Sequence, residues 1–192
     1  MPDAIFVGVG GQGLITLSNV FYKAALAAGF HVNVKNVKGL AQRGGAVNSK
    51  ASWGTSPAAA VPDYIKGSLD YLIALEQLEG IKYLPHLKKG GTALISNRQI
   101  YPGVSLLEKE EYPGDIEKFR LQFPDITMKY IDISKISSQL PSVKSENVIM
   151  LGFFAKTAGV SREHFHGAIN SVLPEKLRAE NILAFDSGYD AE

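Results

Sequence analysis

Three glycines, Gly8, Gly10 and Gly13, stand in one six-residue run, GVGGQG, after only seven residues of chain. A turn with this spacing is built to let a phosphate approach the backbone. Gly8 allows the tight turn, Gly10 lets backbone approach a ligand, and Gly13 lets the following helix pack closely. The first turn of that helix presents free N–H groups to an anion. Gly11 and Gln12 complete the run, and Gln12 offers a side-chain amide at the turn. The pattern carries weight only between a strand and a helix. Both are expected here. AIFVGV (4–9) is a short apolar run ending in glycine, typical of a strand buried on both faces. Leu14, Leu17, Val20, Phe21, Ala24, Ala25 and Ala28 then recur at helical spacing, with Gly29 as the stop.

A dinucleotide site needs more than glycines. It wants Asp or Glu about 20 residues on, at the end of the second strand, to hold the ribose. HVNVKNV (31–37) reads as that strand, yet no acid occurs from His31 to Lys50. Lys35 and Lys38 leave NADP open as an alternative. Otherwise the glycines either serve packing alone or receive a different phosphate-bearing ligand. A second glycine-rich loop, KGLAQRGGAV (38–47), sets Arg43 beside Gly44 and Gly45. A guanidinium there suits a phosphate or a partner's carboxylate. Strand C-termini face the ligand crevice in a doubly wound sheet, so residues 10–13 and 39–45 are expected on one edge.

The elements that must position these residues follow the same pattern. Strand, glycine turn, helix and strand form a βαβ unit. VNSKASWG (47–54) alternates like a half-exposed strand, and LDYLIAL (69–75), TALISN (92–97) and ITMKYIDI (126–133) read as further strands. EQLEGIKYLPHLKKGG holds a short helix stopped near Pro85 and Gly90, and GDIEKFRLQF a second one within the weakly patterned stretch 98–125. Three helices close the chain. SENVIMLGFFAKTAG (145–159) is apolar on nearly every face, so it is expected buried, with Gly152 allowing close approach. SREHFHGAINSVL (161–173) starts at Ser161 as N-cap. PEKLRAENILAFDSGYD has Pro174 in its first turn and Gly188 past its last. The expected fold is α/β: a single doubly wound, mostly parallel, Rossmann-like sheet with a helical C-terminal part, in one domain over 1–192.

Composition sets the exclusions. Net charge is +1, which gives a nucleic-acid partner no global support. No apolar run approaches the roughly 18 residues of a bilayer span, and no leader pattern opens the chain, so a cytoplasmic protein is expected. There are no cysteines. Disulfides, thiolate nucleophiles and cysteine-held iron–sulfur clusters are therefore excluded for this chain. His164 and His166 lie two apart, about 200° around a helix, and do not chelate one ion; no metal site is expected. Glu76 and Glu79 read as a solvated helix face, and Trp53, Tyr71, Phe153 and Phe154 as packing residues. No catalytic residue is singled out.

GVGGQG, KGLAQRGGAV, ENVIMLGFFAK and NILAFDSGY, in that order over nearly the whole length, resemble the gamma-type subunit of 2-oxoacid:ferredoxin oxidoreductases. Within that family the resemblance is to the indolepyruvate branch, where the domain is a separate chain. GxGGQG with a downstream QRGG is more specific than the glycines alone. The resemblance implies oxidative decarboxylation of a 2-oxoacid, indolepyruvate or another arylpyruvate, to an acyl-CoA. It implies a larger catalytic subunit carrying thiamine diphosphate and iron–sulfur clusters, and ferredoxin reached through the complex. It also implies coenzyme A as the ligand for Gly8, Gly10, Gly11, Gln12, Gly13, Arg43, Gly44 and Gly45. The isolated chain is then expected to be inactive and to form a homodimer that covers part of its partner surface. The alternative is a free-standing NADP-binding enzyme or nucleotide sensor.

Overall fold

Strand β1 (Asp3–Val9) is buried from Ala4 to Val9, which its unbroken apolar run requires. The computed structural model describes residues 2–38, 45–57, 65–101, 112, 115–140 and 145–191. β1 feeds α1 (Leu14–Ala27) through the glycine turn, and β2 (His31–Lys38) follows. β3 (Ala46–Gly54), β4 (Leu69–Ala74), β5 (Leu87–Ser96) and β6 (Thr127–Ile131) complete one six-stranded sheet of order β2-β3-β1-β4-β5-β6. The β1–β4, β4–β5 and β5–β6 pairs are parallel. The sheet is thus mostly parallel and α/β, as expected. β3, however, runs antiparallel between β1 and β2. β1 and β2 point the same way but are not neighbours. The reason lies in the connection: Lys38 pairs with Val47 across a loop too short to hold a crossover, so β3 must turn back on β2.

Helices cover both faces. α1 shares one core with three C-terminal helices, α5 (Glu146–Ala158), α6 (Arg162–Val172) and α7 (Glu175–Asp190). α2 (Gln77–Tyr83) and α3 (Ile116–Gln122) contribute Ile81 and Ile116 to a second core on the opposite face. A short α4 (Ile133–Ser137) follows β6 and was not anticipated by the sequence pattern. Phe6, Phe21, Trp53 and Phe154 interlock at the centre of the first core, with Phe21 and Trp53 ring centroids 5.0 Å apart. Trp53 is therefore a packing residue, 2% exposed, with its indole N–H on the Ala158 carbonyl.

Four further expectations change. β3 is not half-exposed: from Ser49 to Gly54 both faces are buried, with Ala51 and Trp53 in the first core and Lys50 and Ser52 buried on the opposite face. Glu76 and Glu79 are not solvated; they are 1% and 6% exposed. Glu76 caps α2, its Oε2 accepting from the Glu79 amide at 2.9 Å, and Lys82 pairs with Glu79 at 2.7 Å. Gly90 stops no helix. α2 ends at Tyr83, and β5 already starts at Leu87 and carries Gly90 through a register shift. Gly188 lies inside α7, not beyond it. A Cβ on Gly188 would collide with the Ile149 carbonyl, and one on Gly152 with the Phe185 carbonyl. These two glycines bring the backbones of α5 and α7 into direct contact, as anticipated for Gly152 alone.

Candidate ligand-binding crevice

The chain leaves β1 by α1 on one face and leaves β4 by α2 on the other. β1 and β4 are adjacent and parallel, so a switch point lies between their C-terminal ends. Ligands bind doubly wound sheets in the crevice at such a point. A crevice of about 360 Å³ is found there, lined by Gly11, Gln12 and Gly13 after β1, Leu75 after β4, and Ser96 and Arg98 after β5. Glu146, Asn147 and Met150 of α5 form its other wall.

The turn is held from within. Gln12 folds back, its Oε1 accepting from the Val9 amide at 2.8 Å and its Nε2 donating to the Leu75 carbonyl at 2.8 Å. The Gln12 amide thus ties β1 to β4 across the switch point. Gly8 leaves room for it, since a Cβ there would lie 2.7 Å from Oε1 of Gln12. The Gly10 amide donates to the Gly45 carbonyl at 2.8 Å, which brings the end of the second glycine loop against the first. Arg43 and Gly44 lie outside the described residues. Gly13 is the left-handed N-cap of α1, with φ +74°. It packs against Asn147 of α5, whose Nδ2 donates to the Gly13 carbonyl at 3.1 Å, rather than against a strand.

Two helices begin at the crevice without side-chain caps. Gly13 has no side chain, and the first turn of α1 has no acid. Ser145, at the N-cap of α5, donates its hydroxyl to Glu180 instead, while the α5 start carries the Glu146 carboxylate and has its Val148 amide on Asn147 Oδ1 at 3.0 Å. Uncapped helix starts favour anions. Arg98 adds a formal cation at the mouth, with its Nε 3.7 Å from Oε2 of Glu146. The strand exit that carries Arg98 is pinned. Its carbonyl accepts from the Gln77 amide at 2.9 Å, and its amide donates to Ser96 Oγ at 3.0 Å. The Ile100 amide donates to buried Glu76 at 3.1 Å, and the Tyr112 hydroxyl donates to the same carboxylate oxygen. Burial, then the bond to Glu76, pushes the Tyr112 phenol far above its ordinary pKa, so it stays a donor.

Arg98, Glu146 and Asn147 were not among the residues singled out by sequence. Asn147 stood within ENVIMLGFFAK, but its polarity carried no signal of what it faces. The ribose-holding position of a dinucleotide fold belongs to the strand beside β1. Here that neighbour is β3, which presents its N-terminal end, Ala46, opposite Val9. The end of β2 with Lys38 lies two strand spacings from β1, about 10 Å. His164 bonds Ser161 and His166 bonds Asp186. Among the described residues no group of three or more His, Cys, Asp or Glu side chains is placed to hold a metal.

The fold and the crevice define a Rossmann-like α/β protein with a glycine turn at its switch point and no acid in the strand that would hold a dinucleotide ribose. Residues 3–191 match the model of the pyruvate ferredoxin/flavodoxin oxidoreductase family, and the chain belongs to that family. It is 33% identical to indolepyruvate oxidoreductase subunit IorB of Pyrococcus horikoshii, over 98% of this chain and 95% of that one. Its structure is similar to the gamma subunit of keto/oxoacid ferredoxin oxidoreductase from Geobacter sulfurreducens, with TM-score 0.72, 26% identity and coverage of 99% and 97% of the two chains. It shares its fold with part of 2-oxoglutarate:ferredoxin oxidoreductase from Magnetococcus marinus, at TM-score 0.73 and 18% identity, covering 97% of this chain and 30% of that one. That structure holds 2-oxoglutarate, coenzyme A and succinyl-CoA. The resemblance read from the motifs is borne out, and the chain is of the gamma-subunit type.

Proposed function

We propose that the chain is the small subunit of an arylpyruvate-type 2-oxoacid:ferredoxin oxidoreductase, with indolepyruvate as substrate class, and that its crevice receives the phosphates of coenzyme A. The substrate reading rests on full-length similarity to an indolepyruvate oxidoreductase subunit. One observation carries the ligand reading: Arg98 stands at the mouth of a crevice floored by Gly11–Gly13 at the start of α1. Gly8 and Gly10 shape the turn, Gln12 braces it, and Gly45 steadies it from the second loop. Arg43, two residues before Gly45, is the second candidate cation for the phosphates, beside Gly44. The larger subunit supplies thiamine diphosphate and the iron–sulfur clusters that pass electrons to ferredoxin, since this chain has no cysteine to hold a cluster. The complex works in the cytoplasm, and the free chain pairs with a second copy. Among the described residues no helix is long and apolar enough to cross a membrane.

The test is co-expression with the larger subunit. The purified complex should reduce a viologen dye with indolepyruvate and coenzyme A, and this chain alone should not. Turnover by the isolated, cluster-free chain would overturn the subunit reading. Micromolar NADPH binding by the isolated chain would favour the free-standing alternative.

A further inference from the structure

Arg98 and Glu146 both line the crevice mouth, and their ion pair is long, 3.7 Å from Nε to Oε2. The Arg98 side chain is 49% exposed and that of Glu146 21%. Pairs of this kind contribute little, and a phosphate on the same guanidinium makes a stronger, shorter contact. Glu146 is also the first residue of α5, where a carboxylate is favoured by the helix start. It therefore keeps a favourable place after losing Arg98. The Arg98 backbone is bonded to Gln77 and Ser96, so its guanidinium moves about a fixed Cα at the crevice mouth.

We propose that Glu146 is a specificity-determining residue: its carboxylate occupies the anion position on Arg98, and a ligand enters by displacing it. The inference rests on the reading that this crevice takes a phosphate-bearing ligand. A neutral ligand offers Arg98 no charge to replace that of Glu146 and leaves the pair closed. A singly charged anion exchanges one carboxylate for another contact of similar strength while meeting the Glu146 charge nearby. A ligand with several phosphate charges gains more at Arg98 and the helix starts than the displacement costs. Glu146 thus raises the threshold for every anion and selects for polyanions.

The sign of this effect separates it from a structural role, because damage to the fold weakens binding. Coenzyme A is titrated calorimetrically into the full chain at fixed ionic strength, for the natural protein, Glu146→Gln, Arg98→Ala and the double variant. Glu146→Gln should tighten binding about three- to tenfold by removing the competitor and its repulsion. Arg98→Ala should weaken it about tenfold or more. In the Arg98→Ala background, Glu146→Gln should give a smaller gain, because the two act on one contact. Acetate should compete more effectively with coenzyme A in Glu146→Gln than in the natural protein. Unchanged or weaker binding by Glu146→Gln, with Arg98→Ala still weakened, would overturn the inference and leave the crevice standing; weaker binding would make Glu146 an acceptor for ligand hydroxyls. No binding by the natural chain would end the site reading and this inference together.

Discussion

Gln12 and Gly13 show how one short run can carry both structure and chemistry. The Gln12 amide satisfies one donor and one acceptor at the C-terminal ends of β1 and β4, so its side chain is already spent within the fold. Gln12→Ala leaves the Val9 amide and Leu75 carbonyl without that partner. Each orphaned group costs about 1–3 kcal/mol when kept from water. Thermal denaturation should show a midpoint several degrees lower, at about 2–4 °C per kcal/mol for a chain of this size. Gln12→Glu should not rescue it, because a carboxylate cannot donate to Leu75. Gly13 is constrained twice. Its φ of +74° disfavours any side chain, and a Cβ would sit 2.5 Å from Nδ2 of Asn147. Gly13→Ala should cost about 1–2 kcal/mol from the backbone alone, with the Asn147 clash added. Gly11, at φ +105° with open space around it, lies further from the left-handed well than Gly13, so Gly11→Ala should carry at least as large a backbone cost, with no clash added.

At the scale of elements, packing overrides propensity where α5 meets α7. Alanine is the better helix former by about 1 kcal/mol, so Gly188→Ala would stabilise an isolated α7. In the protein the new methyl would meet the Ile149 carbonyl, and overpacking costs about 1–3 kcal/mol or more. A net loss in denaturant midpoint is expected, with Gly152→Ala behaving alike; a gain would mean that the two helices separate easily. β1, its turn and α1 were legible because glycine spacing and a 3.6-residue repeat are local signals. The place of β3 was not, because pairing between distant segments leaves no mark on either. The alternation of Val47, Ser49, Ala51 and Trp53 suggested one wet face, yet the other face is buried as well. Glu76 and Glu79, three apart, looked like a surface pair, whereas α2 turns both inward. Arg98 was invisible for the same reason as β3: its meaning depends on β5 ending beside a turn more than eighty residues earlier.

At the scale of the whole molecule, the chain supplies a crevice with a cation at its mouth and no cysteine to hold an iron–sulfur cluster. Its glycine turn, its two uncapped helix starts and Arg98 converge because β1, β4, β5 and α5 meet at one switch point. On the function proposed above, the oxidative decarboxylation belongs to the complex, and this subunit's share is the handling of the phosphate-bearing substrate. The most direct measurement is the coenzyme A dependence of indolepyruvate-driven viologen reduction by the reconstituted complex, with the natural chain and with Arg98→Ala. Loss of a charge-assisted contact worth about 1.5–3 kcal/mol should raise the KM for coenzyme A about tenfold or more. The KM for indolepyruvate and the yield of complex should stay as they were. An unchanged KM for coenzyme A, at normal complex yield, would contradict the account.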